Sequence, residues 1–324
     1  MRRPYNLALV LMSSFVAATT ALAEEQATPG QLVDALNGVF GQHHARAVHA
    51  KGVLLNGAFT PSATASRISK APHLQQTSVP VVVRFSDFAG IPSVPDNDPL
   101  ASPHGMAIKF KLPDGSDTDL VTHSFNGFPS ATAADFRDLL IALGRSGPNA
   151  TKPTPLDTYL ASHPRAKAFL TAPKPNPESF ATLPYFGVNT FKFTNAADQT
   201  TFGRYQLQPV SGAKYIADDA AAKEPPDYLL TEIKQRTEKG PVKFRLVLQL
   251  AGPGDKLDDP SVAWPDNRET AELGTLSLTR VIADEALDKS LLFLPNALPD
   301  GIESADPMID ARGQAYPVSF GRRQ

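Results

Sequence analysis

The sequence predicts an α+β fold: an antiparallel β-barrel core with helices inserted between its strands and flanking them. Three observations carry that expectation. β-rich runs recur along most of the chain, amphipathic helical patterns interrupt them, and no repeat, low-complexity tract or dividing linker separates one part from another. One domain over residues 24 to 324 is the simplest organisation.

The first 23 residues carry Arg2-Arg3, an apolar run from Leu7 to Ala21 and the small-residue end Ala21-Leu22-Ala23 before Glu24-Glu25. That pattern is a secretory signal peptide cleaved after Ala23, and it implies an exported, periplasmic protein. Ser13, Ser14, Thr19 and Thr20 dilute the apolar run, and no later segment reaches the roughly 18 to 20 apolar residues of a membrane helix. The paired arginines leave both the general secretory route and the twin-arginine route open. After a polar lead over residues 24 to 30, Leu32, Leu36, Val39 and Phe40 recur at helical spacing, which predicts a helix from Gln31 to His43 and His44. Strands are predicted over 52–59 and 80–88, the second around Val81-Val82-Val83-Arg84-Phe85, and over 105–112 before the turn Pro113-Asp114-Gly115. Helices follow over 134–143 and 156–170, then a strand pair over 189–194 and 201–209 joined by Asn195-Ala196-Ala197-Asp198. A helix over 228–238 and strands over 242–250 and 274–280 complete the pattern.

The composition excludes several chemistries. Formal net charge is -2, which gives a nucleic-acid partner no electrostatic support. The chain has no cysteine, so disulfides, thiolate-ligated haem, iron–sulfur clusters and covalent Cys-x-x-Cys-His haem attachment are all ruled out. Only four methionines offer oxidisable sulfur.

The chemistry-bearing stretch is Met308-Ile-Asp-Ala-Arg312-Gly-Gln-Ala-Tyr316. A guanidinium four residues before a phenol shares its helix face and favours the ionised oxygen, an anionic ligand for iron. Tyrosine is the axial haem ligand that marks catalases. His43, His44 and His49 do not form a metal cluster by spacing, because no carboxylate lies among them and neighbouring histidines on a helix diverge.

The chain resembles the catalase family of haem proteins, in its catalase-related peroxidase branch, on a series of segments in shared order. Arg46-Ala47-Val48-His49-Ala50-Lys51-Gly52 resembles the segment with the distal histidine. Arg84-Phe85-Ser86, Gly105-Met106-Ala107-Ile108-Lys109-Phe110 and Asp119-Leu120-Val121 resemble the strands after it. Thr190-Phe191-Lys192, Ala263-Trp264-Pro265, residues 293 to 303 and residues 308 to 316 continue the series. The resemblance implies a catalase-like barrel binding haem b, iron protoporphyrin IX, with Tyr316 as the iron ligand and Arg312 beside it. It implies His49 as the catalytic acid–base group, since a neutral imidazole can move a proton from one peroxide oxygen to the other. Ser86 would then hold the imidazole, Arg46, Arg84 and Arg323 would take the haem propionates, and Val48, Phe128, Phe136 and Met308 would wall the porphyrin.

Two departures from the family pattern stand out. Where catalases carry a distal asparagine, an ungapped reading gives His123, the second catalytic candidate, with Asn126 as the alternative after a local shift. Large catalases also continue far beyond the proximal tyrosine, whereas eight residues follow Tyr316 here. The expectation is a minimal barrel whose haem is open to molecules larger than hydrogen peroxide. The function implied is a peroxidase reducing hydrogen peroxide or organic hydroperoxides with a small organic electron donor, with weak catalase side activity, as a monomer or small homo-oligomer. A hydroperoxide-rearranging lyase and a non-enzymatic haem carrier or sensor are the alternatives; Val48 before the histidine speaks against the first, and Arg46, His49 and Ser86 against the second.

Overall fold

Strand alternation places the cavity in this protein outside its barrel. The computed structural model describes residues 26 to 75 and 77 to 324, so the signal-peptide reading lies outside the described residues. The strands are β1 (Gly52–Pro61), β2 (Val79–Ser86), β3 (Gly105–Lys111), β4 (Asp117–His123), β5 (Tyr185–Phe186), β6 (Phe191–Thr194), β7 (Thr200–Pro209), β8 (Val242–Leu250), β9 (Thr270–Ile282) and β10 (Ile302–Ser304). Eight of them close a barrel in the order β7-β5-β4-β3-β2-β1-β9-β8, with β8 pairing back to β7 and β6 and β10 extending from β7. Every strand pairing is antiparallel. Closure removes the exposed edges that an open sheet would present.

Along β2, β3 and β4, Phe85, Met106 and Leu120 point into the barrel and join its core with Phe180, Tyr185 and Phe244. Phe85 stacks on Phe180 with ring centres 5.4 Å apart. The intervening residues face outward, and the register sets Ser86 opposite Gly105 and Gly105 opposite His123. Arg84, Ala107 and Val121 make the next such row. These two rows form one wall of a cavity.

Helices make the other walls. They are α1 (Pro29–Phe40), α2 (Ala133–Gly144), α3 (Pro155–Ser162), α4 (Pro164–Thr171), α5 (Asp218–Ala221), α6 (Tyr228–Lys239), α7 (Glu285–Ser290) and α8 (Pro307–Arg322). Leu32, Val33, Leu36 and Phe40 of α1 pack with Leu140 of α2 and Ala315 of α8 in a second apolar cluster, separate from the barrel core.

The helix expected from Gln31 to the histidines starts earlier and stops sooner. A capping box between Thr28 and Gln31 with Pro29 after it begins the helix, and Gly41, at φ +87°, ends it before His43. The helix expected over 156–170 is two helices, because Pro164 has no N–H to donate and its ring excludes a continuing helix. The two-residue β5, the three-residue β10 and the short α5 and α7 carry too little periodicity to be predicted from sequence.

Candidate active site

The face of α8 that meets the cavity is a single helical stripe. Met308, Arg312, Tyr316, Ser319 and Arg323 recur at three- to four-residue spacing from the helix start to its C-cap, and all line the cavity. Arg312 donates to the Tyr316 phenol oxygen through Nη2 at 2.8 Å and Nε at 3.3 Å. Two N–H groups of one guanidinium therefore converge on one phenol oxygen. The guanidinium is itself fixed: its Nη1 donates to Asn189 Oδ1 at 2.5 Å, and Asn189 Nδ2 donates to Asp306 Oδ2 at 2.7 Å. Asp306 also caps α8 by accepting from Met308 N at 2.9 Å. Asn189 and Asp306 were not singled out from the sequence. Asp306-Pro307 is a legible helix start, and Asn189 directly precedes the Thr190-Phe191-Lys192 segment.

His49 lies on the loop before β1 in a left-handed backbone conformation, φ +59°, which a non-glycine residue adopts only when its surroundings hold it there. Its N–H donates to Phe88 O at 2.7 Å, and its ring sits edge-on to Phe88. Nδ1 lies 3.1 Å from both the Asp87 carbonyl and Ser86 Oγ. A carbonyl can only accept, so Nδ1 carries the proton and Nε2 keeps its lone pair. Gly105 sits below the ring, where an added Cβ would lie 2.7 Å from Nδ1 and 2.6 Å from Ser86 Oγ. Burial, assisted by His123 and Arg84, pushes His49 down to about 3, so the ring is neutral at ordinary pH. The Asp87 carboxylate meets His104 Nδ1 at 3.0 Å and Lys51 Nζ at 3.8 Å, and Lys51 also pairs with Asp96 and with Asp227 at 2.7 Å.

His123 lines the same cavity, and neither ring nitrogen has a hydrogen-bond partner among the described residues. Burial, with Arg312 and Lys174 nearby, pushes this imidazole down to about 3 as well. Asn126, the alternative, is not among the residues lining the cavity.

Arg46, Arg84 and Arg323 meet at one side of the cavity. The sequence suggested only an external partner for them; the structure adds an internal one, Asp288 of α7. Arg84 Nε donates to Asp288 Oδ1 at 2.7 Å, and Arg46 Nη2 lies 3.1 Å from the same oxygen. Main-chain carbonyls complete the clamp. Arg84 donates to His49 O and Ala50 O, Arg46 to Asp288 O and Leu291 O, and Arg323 to Lys289 O and Leu291 O. Burial alone would raise the Asp288 carboxyl, but Arg84 and Arg46 overcome it and hold the group below its usual range. Val48, Phe128, Phe136 and Met308 supply apolar walls, and Phe128 and Phe136 lie 5.0 Å apart, ring to ring. Apart from the alternative Asn126, the site residues expected from the sequence, from Arg46 to Arg323, thus line one cavity. His43 stays apart, its Nε2 donating to Phe40 O at 2.7 Å.

Comparison with known proteins gives the geometry a lineage. The family model described as catalase matches residues 42–323. The chain is similar to a catalase-related peroxidase of Mycolicibacterium paratuberculosis, 38% identical over 302 residues that cover 91% of this chain and 95% of that one. It is also similar to a catalase-related peroxidase of Synechococcus elongatus, 33% identical over 97% of this chain and 94% of that one. Catalase-2 of Bacillus subtilis is 29% identical over 84% of this chain, which spans only 42% of that protein. The crystal structure of a fungal catalase has the same fold, with a TM-score of 0.76 at 20% identity over 86% of this chain and 59% of that one.

Proposed function

The chain belongs to the catalase family and is an oxidoreductase acting on peroxide; on that premise we propose that it is a haem b peroxidase. It reduces hydrogen peroxide or an organic hydroperoxide with electrons from a small organic donor, and releases oxygen only as a minor activity. The observation that supports this reading is the convergence of an Arg312–Tyr316 pair, a neutral imidazole and three guanidiniums on one cavity. The residues fit haem. Aromatic and aliphatic side chains offer apolar faces to a flat ring, Gly105 and Ala107 leave the strand wall low, and both nitrogens of His123 are buried without partners. Tyr316 would hold the iron, Arg46, Arg84 and Arg323 the propionates, and Val48, Phe128, Phe136 and Met308 the macrocycle.

Bound haem supplies the redox chemistry, accepting the oxidising equivalents of peroxide and passing them to the donor. The protein's part is to position groups and move a proton. With Nδ1–H committed to the Asp87 carbonyl, His49 Nε2 is the site that takes the proton from one peroxide oxygen and returns it to the departing oxygen. Neutrality matters here, because a protonated ring would have no lone pair to accept with. His123 offers a second, unclaimed ring nitrogen to hydrogen-bond the bound peroxide. The same reading takes the chain to be exported to the periplasm, on its amino-terminal sequence.

The test is a comparison of two rates on the protein loaded with iron protoporphyrin IX. Oxidation of a phenolic donor should outrun oxygen release at the same peroxide concentration, and His49→Ala should lower donor oxidation on the order of 100-fold to 10,000-fold. Vigorous oxygen release with little donor oxidation would make the protein a small true catalase instead.

A further inference from the structure

Three guanidiniums crowd one side of the cavity, yet two carboxylates are all that protoporphyrin offers them. Arg46, Arg84 and Arg323 all line the cavity, whereas Asp288 does not and sits behind them on α7. Burial together with Arg84 pushes Arg46 down to about 9, and Asp288 opposes that fall. Three positive charges and one negative charge leave a residual charge of +2, equal and opposite to two propionates. We infer that Asp288 is the charge-matching residue of the cofactor-carboxylate site: it trims the arginine cluster to the charge of two propionates, so that the filled site is balanced and the empty one carries less uncompensated charge than three guanidiniums alone would.

The geometry separates this role from a merely orienting one. Arg84 keeps His49 O and Ala50 O as partners, Arg46 keeps Asp288 O and Leu291 O, and Arg323 keeps Lys289 O and Leu291 O, whatever side chain stands at 288. Beyond these carbonyls the carboxylate adds its charge and acceptors for Arg84 and Arg46 on both oxygens. Replacing it with an amide of the same shape leaves the guanidiniums held by main chain and moves the site from +2 toward +3. Such a site attracts a dicarboxylate porphyrin more strongly relative to an uncharged one, while the empty protein carries more uncompensated buried charge and is less stable.

This inference rests on the haem reading, and one binding cycle tests the two separately. Iron protoporphyrin IX and its dimethyl ester are titrated by absorption into the apoprotein of wild type, Asp288→Asn and Asp288→Glu. The ratio of the two affinities cancels any general loosening of the fold. Asp288→Asn should widen the preference for the free acid by about tenfold and lower the apoprotein's melting temperature, and Asp288→Glu should keep the wild-type ratio. A ratio unchanged or narrowed in Asp288→Asn would overturn charge matching while leaving haem binding in place. If wild type binds neither porphyrin, the haem reading itself fails.

Discussion

At Gly105 one methyl group would displace the His49 imidazole. The added carbon would lie 2.7 Å from His49 Nδ1, 2.8 Å from Cε1 and 2.6 Å from Ser86 Oγ, so the ring has to tilt and lose its Asp87 and Ser86 partners. Gly105→Ala should therefore reduce peroxide turnover by about 10-fold to 100-fold while haem absorption stays near normal, because the proximal side is untouched. Steady-state donor oxidation beside an absorption spectrum checks both halves. The sequence made His49 and Tyr316 legible because few residue types can do the chemistry proposed for them. Gly105 was legible only as part of a matched segment, since its contribution is space, and a glycine shows what lies against it only when the strands have been paired. Asp288 was hidden for a similar reason: it is one of 33 acidic residues, and nothing local distinguishes it.

Among the elements, α8 depends on a single carboxylate at its start. One oxygen of Asp306 caps the helix through Met308 N, and the other holds Asn189, which holds Arg312. Asp306→Ala should cost about 1 to 2 kcal/mol through the lost cap and should also loosen the guanidinium on the phenol. Asp306→Asn keeps a good capping oxygen yet turns an amide toward Asn189, so stability should largely return while the environment of the phenol remains altered. Thermal unfolding measures the first effect, and resonance Raman iron–phenolate modes of the haem-loaded protein measure the second. Elements with strong local signals were readable: β1, β2, β3, α2 and α6 fall within a few residues of their predicted bounds. The helix pair α3 and α4 was fused in the sequence reading because its apolar spacing continues across Pro164. β5 exists only through its long-range pairing with β4 and β7, and β10 through its pairing with β6, which no local pattern announces.

For the whole molecule, three buried imidazoles set the acid limit. Burial pushes His49 and His123 to about 3 and His73, packed against Phe59 and Phe110, to about 4. In the unfolded chain they take up protons near pH 6.5, so between about pH 6.5 and 4 the unfolded state binds more protons than the folded one. The stabilisation is full above pH 6.5 and is lost as pH falls toward the folded values. Urea unfolding of the apoprotein should show stability dropping steeply from pH 7 to 4.5. His73→Leu should lose about 2 kcal/mol less over that range, and equal losses in the two proteins would refute the assignment. The cavity has one further consequence, in time rather than space. Its imidazole lies at residue 49 and its phenol at residue 316, with nearly the whole barrel between them in sequence. A growing chain whose β1 to β9 are made but whose α8 is not still lacks Arg312 and Tyr316, so on the proposed reading it has no ligand for iron. On that reading, firm cofactor capture would follow delivery of α8 rather than closure of the barrel.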